Sequence, residues 1–476
     1  MKKVFAVLMA VALVFAMSIP AFAAGTGTIE VKNTVTGATY EAYKMLDFVP
    51  SGEKNGVYTV AAGWEGFFEK AEVQTYFKTT ETNDGKLVVT AVPEPAVVDQ
   101  ELAKLAIEYA ETTDGIAVIE KTAAGETVVF SGLDLGYYVI DTTVGSFSNL
   151  VNANTTEEVK DKNEKPDIDK FVEEDKDGSW GYVNDATIGQ VVNYKSTINV
   201  GVGATGYKMH DTMEAGLTFD PASVVVEGAT AGEDYTLVTN CDDGCTFEII
   251  FEDSFINDEV GAGNKFDVTY SATLNENAKI VDEGNINTVK LAYGEGSKLE
   301  TKPHSTATYT WKLDFLKYAN TEANPELPLA GAIFSFSTEG KTLKFTDVTV
   351  EGGVPTYKVD PNGTITQIET KETGKFEIIG IDEGVYTIKE EKAPEGYNEL
   401  ANDINVTITS EHTDADLTAT YTVEDYNGTV KIENKTGDLL PETGGIGTTI
   451  FTIVGITLMV VAAVFLISKK RMSSAA

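Results

Sequence analysis

The sequence predicts an all-β protein made of immunoglobulin-like β-sandwich domains in tandem. Short apolar runs rich in Val, Ile, Thr, Tyr and Phe recur about every ten residues, often alternating, and Gly, Asn and Asp turns separate them. Examples are Thr127-Val128-Val129-Phe130, Tyr137-Tyr138-Val139-Ile140 and Phe376-Glu377-Ile378-Ile379. A self-comparison adds a second observation. Gly132-Leu133-Asp134-Leu135-Gly136-Tyr137-Tyr138-Val139-Ile140 matches Gly380-Ile381-Asp382-Glu383-Gly384-Val385-Tyr386-Thr387-Ile388 at the same offsets. Val159–Asn163 mirrors Val430–Asn434, and Ile29–Lys32 resembles Asp314–Lys317. The first and last domains therefore read as divergent copies of one sandwich. The length of 476 residues allows about three domains.

Taken in order, residues 1–24 read as a secretory signal peptide. Lys2 and Lys3 form the charged start, Val4 to Met17 the apolar core, and Ala21-Phe22-Ala23 the small-residue cleavage site. Residues 25–163 form the first sandwich. Val98, Leu102, Leu105, Ala106 and Tyr109 recur there at helical spacing, so a helical insertion is expected between about Trp64 and Glu111. A middle domain spans 164–303 and a last one 304–438. After the pentapeptide at 440–444, an apolar stretch at 446–468 predicts a transmembrane helix. Its core, Thr448 to Ile467, is about twenty residues without a charge. The tail at 469–476 begins with Lys469, Lys470 and Arg471, whose charge favours the cytoplasmic side.

Composition excludes several functions. Acidic residues outnumber basic ones 74 to 36, a formal charge of −38, which argues against a nucleic-acid partner. The signal and tail hold five basic residues and no acids, so the stretch between them carries 31 lysines, no arginine and a charge of −43. Three histidines in unrelated sequence contexts (His210, His304, His412) and two cysteines suggest neither a closed metal site nor a Ser/His/Asp or Cys/His catalytic set. No cofactor, no metal and no enzymatic turnover are expected. Cys241-Asp242-Asp243-Gly244-Cys245 reads as a disulfide-closed loop in a secreted chain.

Leu440-Pro441-Glu442-Thr443-Gly444, the apolar span and the basic tail together resemble the cell-wall sorting signal of Gram-positive surface proteins. The resemblance implies that a sortase cysteine attacks the Thr443 carbonyl, releases Gly444 onward, and passes the acyl group to an amine.

In the last domain, Leu316-Lys317, Tyr386-Thr387-Ile388-Lys389-Glu390-Glu391-Lys392-Ala393-Pro394-Glu395-Gly396-Tyr397 and Asn434 resemble the B-type repeat domain of collagen adhesins and pilins. The hallmark of that domain is an internal Lys–Asn isopeptide bond. Carried over, Lys317 is the nucleophile, Asn434 the electrophile and Glu390 the acid. The middle domain resembles the second-domain module of fimbrial shaft proteins through Lys165–Phe171, His210–Phe219, Thr269–Leu274 and Asn287–Gly294. There Lys170 and Asn287 are the implied pair and Asp211 the acid, Glu214 lying off the motif position. In the first domain Lys32 and Asn163 occupy the pair positions. However, the offset of Glu390 falls on Thr142, with Asp141 one residue early, and a one-residue shift turns a strand side chain to the opposite face.

Shaft pilins carry, before the second domain, a lysine within Tyr-Pro-Lys-Asn that attacks the sortase-bound threonine of the next subunit. The aligned residues here are Lys160-Asp161-Lys162-Asn163, which points to Lys162, with Lys160 and Lys165 as alternatives. The resemblance implies a major pilin, the shaft subunit of a covalent surface pilus anchored to the cell wall. Implied partners are other copies of the chain, a pilin-polymerising sortase, a housekeeping sortase and peptidoglycan, and beyond these minor pilins and host surface ligands. The alternative is a singly anchored adhesin, or a minor tip or base pilin, binding a host ligand.

Overall fold

The structure, a computed structural model, describes residues 26–50, 56–91, 100–145, 149–152, 156–281, 283–348, 354–437 and 446–473. The signal peptide at 1–24 and the pentapeptide Leu440–Gly444 lie outside the described residues. By compactness the chain forms two units: Met1–Thr310 with Glu411–Thr420, and Trp311–Ser410 with Tyr421–Ala476.

The first unit holds two pairs of sheets. Residues 27–160 supply a three-stranded sheet ordered Thr156–Lys160, Gly27–Lys32, Thr127–Leu133, and a seven-stranded sheet built around Thr39–Pro50 and Gly136–Thr142. Residues 167–309 supply a five-stranded sheet ordered Trp180–Gly181, Asp167–Glu173, Val191–Asn199, Lys265–Leu274, Leu217–Val226. Facing it is a seven-stranded sheet that includes His304–Tyr309, Asn285–Tyr293, Lys208–Met213 and Phe247–Phe251. One hydrophobic core runs from Ile29, Val31 and Phe130 through to Ile198, Phe247 and Leu291. Backbone contacts within this unit are close: Glu295 N donates to Thr143 O at 2.8 Å. Gly294 (φ +80°) has no room there, because a Cβ would lie 2.4 Å from that same oxygen.

The expected insertion is only partly helical. The helix Gln100–Thr112 buries Leu102 and Ala106 in a separate cluster with Trp64, Phe67 and Phe68. Between Trp64 and this helix lies an antiparallel hairpin, Phe77–Glu81 with Leu87–Ala91. The helical periodicity holds from Leu102 to Tyr109, while Val98 lies outside the described residues. Upstream, the alternating, β-branched Leu87-Val88-Val89-Thr90-Ala91 favours a strand.

The second unit repeats the first pair of sheets. Trp311–Ala319 lies parallel to Thr429–Glu433 and antiparallel to Lys375–Ile381, as Gly27–Lys32 lies parallel to Thr156–Lys160 and antiparallel to Thr127–Leu133. The facing sheet carries Ile333–Thr338 against Gly384–Lys392. The repeated Gly-x-Asp motif has one cause in both copies. Gly132 and Gly380 take φ of 74° and 85°, and Tyr138 and Tyr386 each donate through the hydroxyl to the carbonyl of Asp134 and Asp382 at 2.8 Å. Ile446–Ser473 forms one helix of 28 residues. Its side chains are described only at 452–465 and 467, and over the described residues no helix is long and apolar enough to cross a membrane. The membrane reading of 446–468 therefore rests on its sequence.

Candidate functional site

Two lysines sit where a strand's period of two demands an apolar residue. On Asp167–Glu173 the inward positions are Ile168, Lys170 and Val172, and on Trp311–Ala319 they include Phe315, Lys317 and Ala319. Both lysines are fully buried. A buried ammonium loses its hydration, so its presence needs a partner.

In the first unit, Lys170 Nζ lies 2.6 Å from Asp211 Oδ2 and also bonds to the Tyr270 hydroxyl, which donates to the same Asp211 oxygen. Lys170 and Tyr270 belong to one sheet, and Asp211 and Asn287 to the sheet facing it. The Asn287 carboxamide is fully buried beside the Asp211 carboxyl, and its oxygen has no hydrogen-bond partner among the described residues. Burial holds the Lys170 amine below its ordinary range and pushes the Asp211 carboxyl up, the Lys170 charge opposing the latter. Both shifts favour a neutral amine beside a neutral acid.

In the second unit, Lys317 Nζ lies 2.9 Å from Glu390 Oε1, while Glu390 Oε2 accepts from Asn434 Nδ2 and from Leu400 N, both at 2.9 Å. The carboxyl thus bridges amine and carboxamide. Burial lowers the Lys317 pKa, with the Glu390 hydrogen bond pulling the other way. Asn434 Oδ1 has no partner among the described residues.

The first domain's pair is not brought together in this way. Lys32 points outward and its Nζ bonds to Glu30 at 2.6 Å. Register identifies the equivalents. Gly27 pairs with Leu133 and Val31 with Val128, as Trp311 pairs with Ile381 and Phe315 with Phe376, and both ladders bulge after the first of these pairs; Val31 pairs with Val159 as Phe315 pairs with Val430. Asn163 therefore stands in the place of Asn434, whereas Lys32 stands in the place of Leu316 and Asn33 in that of Lys317. Thr142 pairs with Tyr40 as Glu390 pairs with Phe334, which places Thr142 at the acid position. Asp161 accepts from the Tyr40 hydroxyl and, at 2.8 Å, from Asn163 N. Asp141 faces the other way, and burial, together with the charges of Glu111, Glu41 and Glu295, pushes its carboxyl up to about 8. The asparagine position expected from the sequence agrees with this register, while Lys32 falls one residue short of the place of Lys317, which turns its side chain to the other face.

Around the junction, Lys160, Lys162 and Lys165 are all exposed, while Asp161, Asn163 and Pro166 are buried. Lys162 thus projects from a short irregular segment fixed on both sides. Cys241 and Cys245 form the expected disulfide. The histidines are less isolated than their sequence contexts suggest. His210 Nδ1 is 3.0 Å from Asp243 and 3.2 Å from Glu248, and Glu174, Asp185 and His412 bring ligand-type atoms within 4.8 Å of one another. Tyr270 and Tyr40 went unnoticed in the sequence, where they look like ordinary strand tyrosines.

Residues 315–426 match the SpaA prealbumin-like fold domain, and residues 432–474 match the LPXTG cell wall anchor motif. The chain is similar to the trypsin-resistant surface T6 protein of Streptococcus pyogenes serotype M6, 27% identical over 270 residues, half of this chain and 44% of the relative. The chain therefore spans less than half the length of the curated relative it matches. Among solved structures, the T6 backbone pilin of serotype M6 Streptococcus pyogenes aligns with TM-score 0.52 at 19% identity, covering 83% of this chain and 84% of that one. The full-length major pilin SpaD from Corynebacterium diphtheriae aligns with TM-score 0.48 at 17% identity over 87% and 98%. These likenesses concern the fold, which is the tandem sandwich expected from the sequence.

Proposed function

We propose that the chain is the shaft subunit of a covalent cell-surface pilus. After the signal peptide at 1–24 is removed, the apolar run at 446–468 retains the precursor in the membrane until a sortase cuts between Thr443 and Gly444. The Lys162 amine of one copy attacks the Thr443 acyl-enzyme of another, forming an amide between subunits. A housekeeping sortase joins the last subunit to peptidoglycan. The observation that carries this reading is the exposed Lys162 on a fixed segment, in a chain whose C-terminal residues match the wall anchor motif. In a singly anchored adhesin that lysine has no covalent role.

Within each of two sandwiches, the middle one at 164–303 and the last at 304–438, an internal isopeptide bond forms once per molecule. The neutral amine of Lys170 attacks Asn287 Cγ, and that of Lys317 attacks Asn434 Cγ. The carboxyl of Asp211 or Glu390 polarises the carboxamide and delivers a proton to the departing nitrogen, and ammonia leaves. The first domain forms no such bond, because Lys32 points outward one residue short of the place of Lys317 and Thr142 replaces the acid. The orphaned Asn287 Oδ1 supports the reading: a buried acceptor without a donor is costly, and the neutral acid of Asp211 beside it can polarise that carboxamide. The bonds are also consistent with the resistance to trypsin for which the similar surface protein is named, since cross-linked strands cannot separate during transient opening.

Blotting cell-wall extracts tests the shaft reading. A ladder of high-mass covalent species is expected, collapsing to a single band in Lys162→Ala. A single wall-linked species in the unmodified strain overturns it in favour of an adhesin. The intact mature chain should weigh about 34 Da less than its sequence, one ammonia for each of two bonds.

A further inference from the structure

We propose that Tyr270 is a catalytic residue of the middle domain's cross-link, relaying the proton from the Lys170 ammonium to Asp211 through its hydroxyl. This rests on the isopeptide reading above and deepens it for one of the two sites.

The geometry carries the assignment. The Tyr270 hydroxyl accepts from Lys170 Nζ and donates to Asp211 Oδ2, so nucleophile, phenol and acid close a three-membered ring of hydrogen bonds in a fully buried pocket. Proton transfer around this ring is balanced. Lys170 gives one proton to the phenol oxygen, the phenol passes its own to the carboxylate, and Tyr270 ends unchanged. The products are a neutral amine and a neutral acid. The Nζ hydrogen held by the phenol oxygen also fixes the amine. Nζ then bonds to Asn287 Cγ, the Cγ–Nδ2 bond breaks as Asp211 gives its proton to the departing nitrogen, and the Asp211 carboxylate so formed takes a proton from Nζ, leaving an amide and ammonia. Burial raises the Tyr270 pKa well above its ordinary value, so the phenol works as a relay and not as a phenolate base.

Two comparisons inside the molecule isolate the role. Tyr194 is equally buried and stacks on Tyr270 at 5.6 Å, yet its hydroxyl faces Thr308 and only its ring approaches Lys170 Nζ, at 5.2 Å. At the second site Lys317 lies 5.5 Å from the ring of Phe334, and Glu390 itself touches both amine and carboxamide. There one carboxyl spans the reacting groups directly. At the first site Asp211 shares Lys170 with a second proton-carrying group.

The test follows cross-linking in the full chain made by cell-free synthesis, with timed samples unfolded, digested and weighed. Peptides joined through Lys170–Asn287 and Lys317–Asn434 are read separately. Tyr270→Phe is expected to slow the Lys170–Asn287 bond about a hundredfold or more, within the range for losing a positioned proton-transfer group. The Lys317–Asn434 bond in the same molecules should form at the unmodified rate, as should both bonds in Tyr194→Phe. Equal slowing in Tyr194→Phe and Tyr270→Phe would mean that packing alone matters and would overturn the relay. So would an unchanged rate in Tyr270→Phe. Should Tyr270→Phe fold poorly, 3-fluorotyrosine at position 270 preserves the fold and must change the rate of this bond only. If the unmodified chain keeps both linear peptides, the isopeptide reading itself fails, an outcome distinct from failure of the relay.

Discussion

Replacing Glu390 with glutamine separates the chemistry of the second unit from its packing. The side chain keeps its size and can still meet Leu400 N and Asn434, but it carries no acid and no charge to balance Lys317, whose Nζ lies 2.9 Å away. The proposed bond from Lys317 to Asn434 closes a loop of about 118 residues, and the chain-entropy relation for cross-links assigns such a loop about 5 kcal/mol. At roughly 4 °C per kcal/mol for a domain of this size, the unbonded variant should melt roughly 20 °C lower. Intact-mass spectrometry and calorimetry provide the assay. Glu390→Gln should recover about 17 Da, one ammonia, and lose the corresponding transition temperature. Glu391→Gln is the control. Glu391 is exposed and bonds to Ser335 and Lys389 on the opposite face of the strand, so its loss should leave both mass and melting unchanged. A Glu390→Gln chain that still sheds its ammonia as fast as the parent would refute the argument that this carboxyl drives the reaction.

Two further outcomes follow from the first domain. Asp141 is protonated up to about 8 in the folded chain, mainly through burial, so the fold holds this proton more tightly than the unfolded chain. Its contribution is therefore fully present below about pH 4 and is lost as pH rises toward 8 and beyond. Asp141→Asn should be more stable than the parent at pH 8, by on the order of a few kcal/mol at most and with a correspondingly higher melting temperature, the difference closing near pH 4. Equal melting at both pH values would contradict a buried, neutral Asp141. Tyr40→Phe removes the hydroxyl that holds Asp161, beside Lys162. Polymer ladders in wall extracts should build several-fold more slowly, while stability falls only about 1 kcal/mol. Ladder growth at the parental rate would show that Lys162 needs no such support.

Much of this protein was legible in its sequence because the signals are local and periodic. Alternating apolar runs gave the strands. The repeated Gly-x-Asp motif gave the two related copies, and its cause is short-range: a positive-φ glycine and a tyrosine reaching back four residues. The order of pentapeptide, apolar run and basic tail is likewise a linear property. Lys170 and Lys317 could be singled out because the motifs around them resemble those of known isopeptide-forming modules, which carry the acid and asparagine along in linear order.

Three features needed the tertiary structure, for one physical reason: strand register is set by packing across the sheet, and a shift of one residue reverses every side chain. That register turned Lys32 out to Glu30 and placed Thr142 where the last domain has its acid, while Asn163 kept the place of Asn434. It distributed the middle domain's reacting groups over two facing sheets, so that Tyr270, 100 residues from Lys170 in sequence, meets its amine. It also buried Asp161 and Asn163 while leaving Lys162 exposed between them. The sequence by itself determined which residue types could react. Only the packing of the sheets decided which of them are desolvated together, and desolvation is what turns an ordinary lysine and carboxylate into a neutral amine beside a neutral acid.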